Sequence, residues 1–144
     1  MEDLPPTLLA LTTYVLSKIG KTARGRIAAR LAGGGQRMWH LAVLAALADF
    51  GPHAQRDLAT RLAIDPSDVV KVLDDLSGDV ARTRDPADRR RVTVTITDQG
   101  RRELDRLMDE AHAVQDELLA PLDHAERAQL HALLTRVLAE PSPQ

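Results

Sequence analysis

The chain has 144 residues, of which 44% are apolar, 28% charged and 2% aromatic, and its formal net charge is −2. That length suits one domain with its own core, and so few rings leave the core to Leu, Val, Ile and Ala, which favour helix-on-helix packing over a β-sandwich. The lack of cysteine excludes disulfides, thiolate nucleophiles, cysteine-based zinc sites and thiol redox sensing, and no apolar run approaches the roughly 20 residues of a membrane span.

From the N-terminus, Pro6 to about Ala32 reads as one long helix. Leu8, Leu11, Val15 and Ile19 repeat at helical spacing, and Ile27 and Leu31 resume the stripe after Gly20 and Gly25. Gly33-Gly34-Gly35 is expected to end it, because three glycines carry a high entropic cost in a helix. A second helix runs from Gln36 to about Asp49 with Trp39, Leu41, Val43, Leu44 and Leu47, and Trp39 is assigned to the core. Phe50-Gly51-Pro52 stops it. A short helix over about Gln55–Ala63 turns Leu58, Ala59 and Leu62 inward. Asp65 then suits an N-cap, Pro66 the first helical position and Asp68 the acid of a capping box, so a fourth helix runs from Pro66 to about Leu76 or Ser77.

Beyond it the period changes from helical to alternating. Val92, Val94 and Ile96 alternate with Thr93, Thr95 and Thr97, which reads as a strand, with Val80–Arg84 as its partner and Asp85-Pro86-Ala87-Asp88 as the turn. Thr97 caps a long helix from Asp98 to about Leu119, striped by Leu104, Leu107, Met108, Ala111, Val114 and Leu118. Pro121 breaks it. Asp123 and Glu126 form a capping-box pattern for a last helix bearing Leu130, Leu133, Leu134, Val137 and Leu138, and the tail Pro141–Gln144 is expected to fray.

Helix, helix, short helix, capped helix and two-stranded ribbon is the winged helix-turn-helix order, in which the second helix of the motif enters the major groove. Here that helix starts at Pro66. Val69, Leu73 and Leu76 form its buried stripe, and Ser67, Asp68, Lys71 and Asp75 its outer face. A serine hydroxyl serves most bases and an aspartate accepts from cytosine N4, so Ser67, Asp68 and Lys71 are DNA-binding candidates. Asp68 and Asp75 equally suit caps and solubilising groups, since acids repel phosphate.

Charge is segregated along the chain. From Lys18 to Arg37 there are six basic residues and no acid, and from Arg82 to Arg102 seven Arg stand against three Asp. The first run also suits a solvated helix face. The second ends a ribbon in Arg89-Arg90-Arg91, costly self-repulsion unless an anion meets it, and a narrow minor groove supplies that potential. Gln55, Arg56, Arg84, Arg89, Arg90 and Arg91 join the DNA-binding set.

The run from Trp39 to Gly100 resembles the multiple-antibiotic-resistance regulator (MarR) family. The likeness rests on Asp57-Leu58-Ala59 with Leu62, Asp65-Pro66-Ser67-Asp68-Val69-Val70, Leu73-Asp74-Asp75-Leu76, Asp85-Pro86-Ala87-Asp88-Arg89-Arg90 and Thr97-Asp98-Gln99-Gly100. The flanking helices fit the family's outline without sharp motifs. The resemblance implies a mostly α fold with a small β-hairpin wing, a single domain over residues 1–144, with the winged helix-turn-helix at 36–100 and dimerisation helices at 4–32 and 101–140. It further implies a homodimer that binds double-stranded DNA at a palindromic operator, as a ligand-responsive or constitutive repressor, and without an apolar run of membrane-span length the cytoplasm is the expected location. Arg90 takes the place of the family's minor-groove arginine, and Asp88 that of the acid orienting it. A small aromatic or anionic effector is implied between the dimerisation helices and the DNA-binding lobe, with Tyr14, Arg37, Trp39 and His40 as its candidate neighbours. One departure stands out: Leu76-Ser-Gly-Asp-Val-Ala-Arg82 is about two residues short of the family pattern, so either the first wing strand is truncated or the preceding helix ends more tightly.

Other chemistry is weakly represented. His40, His53, His112, His124 and His131 show no ligand spacing beyond the last two, two helical turns apart, and read as surface residues. There is no nucleophile–base set and no glycine-rich phosphate loop, so neither an enzyme, a metal site nor a cofactor is expected. The apolar stripes of Leu8–Ile19, Leu104–Leu118 and Leu130–Leu138 exceed what one small lobe covers, which argues independently for a partner chain. The rival reading is a winged-helix protein-interaction module whose basic face meets an acidic protein.

Overall fold

The structure, a computed structural model, describes residues 3–31 and 36–140. Two helices open it, α1 (Pro6–Leu9) and α2 (Thr12–Arg30), where one was expected. Leu11 takes an extended backbone (φ −91°, ψ 116°) and becomes the N-cap of α2. No glycine or proline marks this break, and the apolar spacing runs straight through it. The Gly33–Gly35 stop and the Pro141–Gln144 tail lie outside the described residues.

The centre of the chain folds as α3 (Gln36–Phe50), β1 (His53–Ala54), α4 (Gln55–Leu62), α5 (Pro66–Asp75), β2 (Val80–Arg84) and β3 (Val92–Ile96). The expected two-stranded ribbon is a three-stranded antiparallel sheet in the order β1-β3-β2, because His53 and Ala54 pair with Val94 and Thr93. Two residues are too few to show alternation in a sequence. β2 and β3 pair from Val80 opposite Ile96 to Arg84 opposite Val92. The first wing strand is therefore full length, and the short segment before it is absorbed by the helix end. Asp79 and Val80 both donate to the Leu76 carbonyl, and Gly78 supplies the positive φ of 93° that the reversal requires.

The core is aliphatic, as composition demanded. Leu31, Val43, Leu44, Leu47, Leu58, Val69, Leu73, Leu76, Val94 and Leu107 are all but sealed from solvent, and none of the three aromatic rings joins them. Trp39 is the clear correction: it is 41% exposed, because α3 turns His40, Val43, Leu44 and Leu47 inward and leaves Trp39 on the flank. His40 (4% exposed) and His53 (9%) are buried, against the expectation of surface histidines.

Two long helices complete the chain, α6 (Asp98–Leu118) and α7 (His124–Ala139). Asp123 and Glu126 form the expected capping box of α7. α6 packs on α2 and α3 and is anchored beside the sheet. The Thr97 amide donates to the Asp79 carbonyl, its hydroxyl donates to the Gly78 carbonyl, and Gln99 reaches the Asp79 side chain. This approach is so close that a Cβ on buried Gly100 would stand 2.0 Å from the Asp79 carbonyl oxygen. α7 buries no residue, and Leu133, Leu134, Val137 and Leu138 all face outward, as do Leu8, Leu11 and Ile19 at the other end. Among the described residues, no helix is long and apolar enough to cross a membrane.

Candidate nucleic-acid interface

α4 and α5 are joined by a tight turn in which Ala63 adopts a left-handed backbone (φ 53°) as the cap of α4. Asp65 then starts α5: its Oδ1 accepts from the Ser67 amide at 2.9 Å and from the Ser67 hydroxyl at 2.6 Å. Those bonds hold the Asp65 carboxyl below the usual carboxylate range, the Ser67 hydroxyl contributing most. The cap is thus made to Ser67 and not as a capping box with Asp68. With its proton committed to Asp65, the Ser67 hydroxyl faces solvent as an acceptor.

Val69, Val72 and Leu73 anchor α5 in the core, leaving Ser67, Asp68, Val70 and Lys71 on one exposed face. Val70, which periodicity alone did not single out, adds an apolar surface of the kind that meets a thymine methyl. Farther along, the acids of α5 are occupied. Asp74 pairs with Arg82 of β2 at 2.7 Å, and Asp75 Oδ2 lies 3.4 Å from His40 Nε2. Both brace the helix, and both side chains stay more than half exposed to solvent.

The wing turn is held by its own aspartates. Asp85 accepts from the Ala87 amide at 2.8 Å and Asp88 from the Arg90 amide at 3.0 Å, both reaching two residues ahead. The Asp85 amide donates to the Arg91 carbonyl, and Arg84 spans the turn to the Arg89 carbonyl at 2.9 Å. Asp88 was expected to grip the Arg90 guanidinium; it holds the Arg90 backbone instead, since a side chain so short reaches the nearer amide first. Arg84 likewise shapes the tip. Arg89, Arg90 and Arg91 are exposed, and among the described residues they enter no ion pair. Gln55 and Arg56, in the first turn of α4, share with Asp88, Arg90 and Arg91 a cleft of about 280 Å³ between that helix and the wing. Five of the ten DNA-binding candidates are gathered there, and Ser67, Asp68 and Lys71 form a second group on α5.

Behind this face sits a buried imidazole. The His53 Nδ1–H donates to the Gly51 carbonyl at 2.7 Å, and its Nε2 accepts from Arg61 Nε at 2.9 Å while the Arg61 guanidinium lies over Phe50. The candidate effector residues divide. Arg37 and His40 are in direct contact at 2.8 Å, and Arg37 also donates to Glu103 of α6. Trp39 is exposed beside them, whereas Tyr14 lies on α2 under the Lys18 ammonium, 5.3 Å from its ring centre.

Residues 38–92 match the MarR family. Over 97 residues the chain is 30% identical to the HTH-type transcriptional repressor NicR of Pseudomonas putida, an alignment covering 66% of this chain and 61% of that protein. The chain thus spans about three-fifths of the length of this curated relative. Wild-type apo MarR from E. coli superposes with a TM-score of 0.76 at 22% identity over 89% of this chain and 96% of that one, a likeness of fold. BpsR of Bordetella bronchiseptica, whose DNA binding is regulated by 6-hydroxynicotinic acid, superposes with a TM-score of 0.67 at 26% identity, covering 87% and 96%.

Proposed function

The chain belongs to the MarR family, and from that premise we propose that it is a homodimeric, DNA-binding transcriptional repressor that reads a palindromic operator. The observation that carries this reading is the pairing of two exposed, differently built surfaces. One is the Asp65-capped face of α5; the other is a wing whose three consecutive arginines have no acidic partner among the described residues. The helix face has the hydroxyl, ammonium and methyl groups that address base edges in a major groove, and the arginines suit the potential of the adjoining minor groove. The cleft joining α4 to the wing is lined by Arg56, Arg90 and Arg91 and suits a backbone phosphate between them.

Two terminal features support the dimer. α7 leaves Leu133, Leu134, Val137 and Leu138 outside any core, with Leu138 87% exposed, and α1–α2 leave Leu8, Leu11 and Ile19. Patches of this kind on both ends mark an association surface. Arg37 and His40, joined at the α3 terminus, are the groups on which a small aromatic anion would act, and regulation of BpsR by 6-hydroxynicotinic acid supports an effector of that chemistry.

Selection from a random duplex library, followed by gel shift with competitor DNA across a salt series, tests the reading. A repressor of this type enriches inverted half-sites about one helical turn apart and retains its preference against competitor. Enrichment of no sequence, with binding that vanishes as salt rises, would instead describe a basic interaction module.

A further inference from the structure

The His40 ring stands between Arg37 on its own helix and Asp75 on α5. Its Nδ1 faces Arg37 Nη1 at 2.8 Å, and a guanidinium only donates, so Nδ1 accepts. The neutral ring therefore carries its proton on Nε2, which points at Asp75 Oδ2 of the DNA-reading helix 3.4 Å away. Arg37 cannot swing aside freely, because its other nitrogen donates to Glu103 of α6, itself gripped by Arg106 at 2.6 Å. The chain α5–Asp75–His40–Arg37–Glu103–α6 thus links the helix that reads DNA to the long helix outside the lobe.

We propose that His40 is a positioning residue whose neutral ring locks α5 against α6, and whose protonation at Nδ1 breaks the lock by setting an N–H against the Arg37 guanidinium, so that acid weakens DNA binding. The proposal rests on the DNA-binding reading above. The charged groups acting on the ring are Arg37 on its own helix, Asp75 on α5 and Asp79 in the turn before β2, while Glu103 and Arg106 act on it through Arg37. Burial foremost, then the Arg37 charge, hold the ring below its ordinary value, against the pull of Asp75 and Asp79. The locked junction therefore binds fewer protons than a released one. Its contribution is complete above about pH 6.5 and is lost as the pH falls through the lowered value.

The test compares the wild type with His40→Gln, which offers Asp75 a donor but does not titrate. Between pH 7.5 and 5.5, Kd for the selected duplex should rise up to about tenfold more in the wild type than in the variant. That is the ceiling for a group titrating near 6.5 when released and held below that value in the locked state. Parallel pH profiles would overturn the proposal. A second measurement does not depend on the variant: in ¹³C-histidine-labelled wild type, the His40 ring should stay neutral further into acid with the duplex bound than without it, and identical titrations would overturn it. If no duplex is selected at pH 7.5, the DNA reading itself fails, and the lock is judged from backbone amides. Protonation of His40 that shifts α5 resonances supports it, and protonation that leaves them unmoved overturns it.

Discussion

Replacing Gly100 with Ala tests whether the joint between the sheet and α6 is as tight as its geometry states. The added Cβ would lie 2.0 Å from the Asp79 carbonyl oxygen and 2.9 Å from Ile96 Cγ1, where contacts normally begin above 3 Å. The obstacle is backbone, so Asp79 and α6 must separate by more than an ångström. Three hydrogen bonds cross that gap: Thr97 amide to Asp79 carbonyl, Thr97 hydroxyl to Gly78 carbonyl, and Gln99 amide to the Asp79 carboxylate. At about 1 kcal/mol each their loss costs about 3 kcal/mol, and overpacking adds about 1–3 kcal/mol. Ala in a helix recovers about 1 kcal/mol over Gly. The expected net loss is about 3–5 kcal/mol. Urea unfolding followed by far-ultraviolet circular dichroism, at one fixed protein concentration, should show a lower midpoint at unchanged slope. A loss under about 1 kcal/mol, or the gain that Gly→Ala gives in an open helix, would refute the tight joint.

The wing and helix give three further tests. Arg90→Ala should weaken binding to the selected duplex by about 1–3 kcal/mol in a titration at fixed salt. Asp88→Ala should weaken it as well, by releasing the Arg90 amide and loosening the turn, although it removes a negative charge; tighter binding would make the wing a positive patch only. Lys71→Ala, if Lys71 meets phosphate, should weaken all duplexes alike and lower the slope of log K against log salt by about one. In sedimentation at micromolar concentration the parent should run near twice 15.8 kDa, and Leu134→Asp with Val137→Asp should bring it to the single-chain mass; a parent that already sediments as a single chain removes the dimer.

The parts legible in the sequence were those written in local chemistry. Asp65-Pro66 fixed the start of α5, Asp123 with Glu126 the start of α7, and the Val–Thr alternation identified β3, because capping and pleating depend on neighbours in the chain. The parts that escaped depend on distant partners. β1 exists only because Val94 and Thr93 lie beside it, and His40 and His53 are buried only because Arg37, Asp75, Gly51 and Arg61 satisfy their rings. Trp39 followed the apolar count of its helix but not the face, since His40 took the inward position that a periodic reading gives to the larger ring. Within the candidate site, the exposed run Arg89-Arg90-Arg91 was legible as three consecutive arginines beside a turn. The role of Asp88 was not, because the choice between a backbone amide and a guanidinium is decided by reach.

The position of Trp39 also settles how the molecule can be watched. It is the only indole, it already touches water, and the core beneath it holds no ring that would absorb or emit with it. Its emission should therefore respond less to melting of the core than that of a buried indole would. The same isolation makes it a single-site reporter at the first turns of α3, one residue from His40. Anything that covers or polarises that spot, a second chain or a small anion held by Arg37, shifts one indole, which excitation beyond the absorption of Tyr14 reads alone, with no label attached.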